Sequence, residues 1–130
     1  MKKVVWVNGC FDILHRGHIE LFKYAKSLGD YLIVGLDSDE RIRETKGKDR
    51  PFNNLQDRIS MLGAIKYIDS VVSFNTDREL ELCVDYYRPK IMVVGSDWKE
   101  KTVIGQEYAN EVKYFGRIGD YSTTKILEKK

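Results

Sequence analysis

Five short apolar runs, rich in β-branched residues, recur along the 130-residue chain at 3–8, 31–38, 70–75, 90–96 and 111–117. Most lack the polar alternation of a half-solvated sheet. They therefore predict strands buried on both faces, as in a parallel sheet covered by helices on each side. The intervening segments carry helical spacing. Ile19, Leu21, Phe22, Ala25 and Leu28 mark a helix over 17–30, with Gly29 expected as its C-cap. A short polar helix is predicted over 38–47, a longer one over 54–68, another over 77–88 stopped before Pro89, and a short one over 105–111. "STTKILEKK" predicts a final helix over 122–130 with a Ser or Thr cap. Right-handed crossovers between such strands give an α/β domain with a Rossmann-like, doubly wound, five-stranded parallel sheet. Ligands in that architecture bind beyond the carboxyl ends of the strands, at the point where strand order reverses. Every loop that follows a strand is thus a candidate site loop.

The prolines are Pro51 and Pro89, and no linker, repeat or low-complexity stretch divides the chain, so residues 1–130 read as a single domain. The net charge of +2, from 22 basic and 20 acidic residues, offers no basis for a nucleic-acid or anionic-membrane partner. Cys10 and Cys83 lie far apart without metal-type spacing, which favours a reduced, cytoplasmic chain. "MKKVVWV" is interrupted by Asn8 and Gly9, too early for a signal peptide, and no run approaches the roughly 20 apolar residues of a membrane span.

The first loop, "NGCFDILHRGH", holds both histidines of the chain. Gly9 is expected to turn the chain tightly at the strand end, and Gly17 to let backbone approach a ligand where the helix starts. A helix N-terminus presents free N–H groups and partial positive charge, which suits a phosphate. His15 and His18, three apart, would point to one side and add hydrogen bonds. Such donors stabilise charge on a phosphate under attack without acting as a base. Two other readings stand beside this one. The histidines could cap and pack only, or they could join Asp12 in a metal site. No further histidine exists to complete a metal shell, and no H-E-x-x-H is present.

"GCFDILHRGH" resembles the H-x-G-H signature of the nucleotidyltransferase superfamily, with the preceding G-x-F-D of its cytidylyltransferase-like branch. "DSDE", "TKGKDRP", the "DR" of the following helix, "GSDW" and "STTKI" fall where that branch has matching motifs, so the likeness extends over the whole chain. The resemblance implies transfer of a nucleoside monophosphate from a nucleoside triphosphate to a phosphate monoester, with release of pyrophosphate. It implies that His15 and His18 bind the triphosphate and stabilise the pentacoordinate transition state. Gly9, Cys10, Phe11 and Gly17 then belong to the loop that backs the nucleotide. Many relatives have Thr where Cys10 stands. Lys46 and Lys48 match residues that contact phosphates of acceptor and nucleotide, Lys46 as a catalytic and acceptor-side group and Lys48 on the nucleotide side. Asp12, Asp97 and Trp98 fall on the acceptor side. Arg117, Ser122 and Thr123 match the segment that closes over the nucleotide, where Tyr121 departs from the usual pattern.

By the same resemblance the acceptor phosphate attacks the α-phosphorus in line, without a protein nucleophile. Mg²⁺ accompanies the triphosphate, no residue is assigned as a protein-held metal ligand, and the chain forms a homodimer. A nucleotide-binding domain without catalysis and a metal-dependent hydrolase remain as alternatives. Tyr86, Tyr87, Tyr108 and Tyr114 are expected to pack rather than to stack on a base, and Trp6 to lie in the core.

Two subtypes compete for the substrates. "TKGKDRPFNNLQDRISMLGAIKYIDSVVSFNTD" and "VVGSDWKEKTVIGQEYANE" resemble the adenylyltransferase type that uses ATP and a heptose 1-phosphate. "GSDW" and the short chain resemble the type that uses CTP and glycerol 3-phosphate. The expectation favours the first.

Overall fold

The computed structural model describes residues 2–116. Strands β1 (Val4–Gly9), β2 (Tyr31–Asp37), β3 (Ser70–Phe74), β4 (Ile91–Gly95) and β5 (Glu111–Phe115) form one sheet in the order β3-β2-β1-β4-β5. Every pairing is parallel. Helices α1 (Arg16–Ser27), α2 (Asp39–Lys46), α3 (Leu55–Gly63) and α4 (Asp77–Tyr87) make the connections, with 3-10 turns at Ser96–Trp98 and Gln106–Tyr108. The doubly wound α/β sheet expected from the strand pattern is present. The helix expected over 122–130 lies outside the described residues.

Both faces of the sheet are covered. On one, Val5, Val7, Leu32, Val34, Leu36, Ile91 and Val93 pack with Phe22 and Ala25 of α1 and Leu62 of α3. On the other, Trp6, Ile33, Phe74 and Met92 pack with Leu80 and Val84 of α4 and with Val103. Adjacent residues of β1 and β2 thus feed opposite cores, which explains their unbroken apolar runs. Trp6 is fully buried, and its indole N–H donates to Asn8 Oδ1 at 2.8 Å. Gly35 leaves room for that indole, since a Cβ there would stand 2.7 Å from the Trp6 ring and 2.9 Å from Phe74.

Three local expectations are corrected. Gly29 does not cap α1 in a left-handed conformation. Leu28 is the C-cap with φ −85°, and Gly29 is required because a Cβ would stand 2.6 Å from the Lys3 carbonyl oxygen. Helix α3 ends at Gly63 instead of residue 68. Beyond it, the Ile65 N–H donates to Leu62 O and the Ile68 N–H to Ile65 O, so Ile65 and Ile68 reach the core from successive tight turns. Tyr86 does not pack into the core but is 81% exposed.

β1 lies between β2 and β4, so strand order reverses there. The loops after β1 and β4 flank that switch point. The β1–β4 ladder covers only Val5 with Ile91 and Trp6 with Met92, whereas β1 and β2 are paired over six positions.

Candidate active site

The loop leaving β1 turns at Phe11, whose φ of +46° is left-handed, rather than at Gly9. Such a conformation is disfavoured for an aromatic residue and needs support from its surroundings. The support is visible in the packing. Phe11 is buried, and its ring meets Phe22 edge-on at 5.1 Å and His18 edge-on at 5.3 Å. Gly9 contributes by lacking a side chain, since a Cβ there would lie 3.2 Å from the Phe11 ring. Phe11 thereby forms a wall behind His18.

His15 is the N-cap of α1. Its Nδ1 accepts the Gly17 backbone N–H at 3.1 Å, and His18 Nδ1 accepts the His15 backbone N–H at 3.3 Å. The arrangement is a capping box built from two imidazoles. The rings stack with centroids 3.8 Å apart and planes 22° apart. With both Nδ1 atoms accepting, the neutral rings carry their proton on Nε2. Burial, and then the neighbouring His15, push His18 down to about 4. His18 is therefore neutral near pH 7 and presents an N–H at Nε2. The capping and the phosphate-donor readings of this pair are compatible: capping fixes the tautomers that donation needs.

Behind the loop, the Cys10 thiol donates to Asp37 Oδ2 at 3.3 Å. Burial, with Asp37 adding to it, raises this thiol to about 11. Cys10 is thus a protonated donor, not a nucleophile. Asp37 Oδ1 accepts from Arg41 Nε at 2.8 Å, and Arg41 also pairs with Asp77.

Lys46 is the exposed last residue of α2, and its positive charge opposes the rise of the Cys10 thiol. Lys48 is exposed just beyond Gly47, whose φ is +108°. Asp97 and Trp98 lie in the 3-10 turn directly after β4, with Trp98 45% exposed and Lys101 Nζ 5.5 Å from its ring centroid. Arg117, Ser122 and Thr123 lie outside the described residues. Asp12 is occupied by the 50–53 segment. Its Oδ1 accepts the Asn53 N–H at 2.7 Å, and its Oδ2 accepts the Phe52 N–H at 2.7 Å and Arg50 Nε at 3.1 Å. Its carboxylate is thereby committed to holding that segment instead of facing an acceptor or joining the imidazoles. Among the described residues no group of three or more His, Cys, Asp or Glu side chains is placed to hold a metal.

The family model for cytidylyltransferase-like proteins matches residues 6–129. The chain belongs to the cytidylyltransferase-like family. The bifunctional protein HldE of Campylobacter fetus is 46% identical over 128 residues, covering 98% of this chain and 28% of its own length. HldE of Helicobacter hepaticus is 47% identical over 127 residues, covering 98% of this chain and 26% of its own. The chain thus spans little more than a quarter of these relatives. Among solved structures, the lipopolysaccharide core biosynthesis protein of Thermoplasma volcanium superposes with a TM-score of 0.70 at 26% identity, covering 94% of this chain and all of its own. A pantoate-beta-alanine ligase of Francisella tularensis, at 16% identity and a TM-score of 0.63, covers 97% of this chain and 68% of its own and shares the fold alone.

Within this cytidylyltransferase-like domain, the most deeply placed organiser is a residue to which the sequence assigned no role. Arg58 is 1% exposed. Its guanidinium donates to Cys10 O at 3.0 Å, Asp37 O at 2.7 Å and Asp39 Oδ1 at 2.6 Å, and its Nε donates to Asn53 O at 3.0 Å. One side chain thus ties together the loops after β1 and β2 and the segment before α3. Asn53 Nδ2 adds a bond to Asp12 O at 2.7 Å. The "DR" and "R-P-x-N" pieces of the sequence were the signal for Arg58, Arg50 and Asn53, but only the fold reveals what they hold.

Proposed function

We propose that this domain transfers a nucleoside monophosphate from a nucleoside triphosphate to a phosphate monoester and releases pyrophosphate. The observation that carries the reading is the stacked pair His15 and His18, each an Nε2–H tautomer, at the start of α1 beside the switch point. Neutral imidazole donors and helix N–H groups suit the triphosphate and the charge that grows on it. An acceptor phosphate oxygen attacks the α-phosphorus, the bond from that phosphorus to the bridging oxygen breaks, and pyrophosphate leaves with its electron pair. The acceptor is already anionic, so no protein base is required. Catalysis is positioning plus charge stabilisation. Lys46 and Lys48 contribute positive charge, with Arg117, Ser122 and Thr123 completing the nucleotide side and Asp97 and Trp98 the acceptor side.

Mg²⁺ enters with the triphosphate as part of the substrate. Asp12 and Asp37 are engaged by other groups, which suits an ion held mainly by phosphate oxygens and water. Among the described residues no helix is long and apolar enough to cross a membrane. The widely spaced cysteines support a cytoplasmic enzyme, and the family resemblance supports a homodimer.

For the substrates we propose ATP and a heptose 1-phosphate. Support comes from the K-G-x-x-R-P-x-N segment, from the HldE relatives, and from the likeness to a lipopolysaccharide core biosynthesis protein. A second pairing, CTP with glycerol 3-phosphate, is favoured by Trp98 in "GSDW" after β4. A matrix of nucleoside triphosphates against sugar and polyol phosphates, read by pyrophosphate release, tests both. Turnover with CTP and glycerol 3-phosphate but none with ATP and heptose 1-phosphate rejects the first pairing. No release with any pair rejects the transferase.

A further inference from the structure

Arg50 is held in a way that leaves part of it unused. Its Nε donates to Asp12 Oδ2 at 3.1 Å, and its side chain keeps 14% of its surface accessible while that of Asp12 keeps none. Nη2 is buried and meets no acceptor among the described residues. Buried donors without a partner are uncommon in folded proteins, and a charged donor is the costliest kind to leave so. Asp12 is not the missing acceptor, because its oxygens already take the backbone N–H groups of Phe52 and Asn53 together with Arg50 Nε.

Its position gives the spare donor a meaning. Asp12 lies on the same loop as His15, so the ion pair fastens Arg50 to the histidine loop. Lys46 and Lys48 stand exposed on the segment leading to it. Asp49 is the acid beside them in the chain, and it too is exposed. A phosphoryl group docking against the partly accessible Arg50 side chain and uncovering Nη2 brings oxygen acceptors to a fork with a donor to spare. Arginine matches such a group with two parallel bonds, whereas lysine offers a point charge.

We propose that Arg50 is an anion-binding residue of the active site, with Asp12 as its positioning partner, and that a substrate phosphoryl oxygen completes Nη2. The inference rests on the nucleotidyltransferase reading and adds a residue to it. The phosphoryl oxygen could come from the triphosphate or from the acceptor, and the test separates them.

The test compares the wild-type chain with Arg50→Lys, which keeps a cation for Asp12 but loses the fork. Calorimetric titrations use ATP, CTP, pyrophosphate, glycerol 3-phosphate and heptose 1-phosphate as probes. The expected result is a variant that melts within a few degrees of wild type and binds at least one probe about 10-fold or more weakly. Loss confined to ATP, CTP and pyrophosphate assigns Arg50 to the triphosphate, and loss confined to the two monoesters assigns it to the acceptor. Unchanged affinity for every probe overturns the proposal. If Arg50→Lys does not fold, the Arg50 Nε–H resonance of the wild-type chain is followed during the same titrations. A saturable shift supports the proposal, and a signal indifferent to every probe overturns it. Arg50-dependent binding without pyrophosphate release in any pairing would remove the transferase reading alone. Turnover unaffected by Arg50→Lys, with unchanged binding, would remove this proposal alone.

Discussion

His15 and His18 lie face to face, ring centroids 3.8 Å apart, and His18 Nδ1 accepts the backbone N–H of His15. Each ring is thereby fixed in tautomer and orientation by the first turn of the helix it caps. This preorganisation makes a donor pair from two residues that would otherwise rotate freely.

Removing one donor tests the assignment. His18→Ala is expected to lower kcat by roughly 100-fold or more, the scale of one lost transition-state donor. The lost half of the capping box should cost about 1 kcal/mol, leaving the fold intact. Pyrophosphate release and a thermal melt on the same preparation check both halves. Normal turnover in the folded variant would remove His18 from the chemistry.

The depressed His18 value has a consequence for stability against pH. In the unfolded chain this imidazole takes a proton near its ordinary 6.5, and in the folded chain only near 4. Between those values the unfolded state binds more protons, so this contribution is present above 6.5 and is lost as pH falls toward 4. Protonation also removes the Nδ1 acceptor that caps His15. Melting temperatures measured from pH 7.5 to 4 should decline more steeply for wild type than for His18→Asn. Parallel curves would show that His18 titrates normally.

Lys46→Ala should separate binding from folding. The residue is exposed at the end of α2, so the melting temperature should hold within a few degrees. KM for one or both substrates should rise about 10-fold or more if a charge-assisted contact to phosphate is lost. Unchanged KM values for both would reduce Lys46 to a surface charge.

Asp12→Asn should act through structure. The amide keeps one acceptor but brings an NH₂ group against the N–H donors of Phe52 or Asn53, and it leaves Arg50 without its counter-charge. Breaking a buried pair from one side costs about 3–5 kcal/mol. A denaturant titration should show a loss of that order, and a variant as stable as wild type would show that the 50–53 segment is anchored elsewhere.

The alternation of apolar runs with helical spacing made the parallel sheet legible before any coordinates, because strands buried on both faces leave no polar positions to confuse the pattern. The placement of His15 and His18 after β1 was equally legible, since loop chemistry follows from strand ends. The end of α3 was not. Ile65 and Ile68 keep helical spacing while reaching the core from turns, and periodicity alone does not separate the two. The left-handed turn at Phe11 was hidden as well, because glycine is the residue that usually advertises it. The contacts of Asp12 with Arg50 and of Arg58 with Cys10 join residues 38 and 48 apart, and no local pattern encodes which carboxylate or carbonyl a distant arginine will find.

The shortest ladder of the sheet, two residue pairs between β1 and β4, runs through the middle of the molecule. Past Trp6 and Met92 those neighbouring strands continue to Gly9 and Gly95 without pairing to each other. Geometrically this is a notch in a plate: the backbone ladder joins β3-β2-β1 to β4-β5 at two positions, while both cores pack across the seam. A ligand held between the loops that follow Gly9 and Gly95 would act as a brace across that notch.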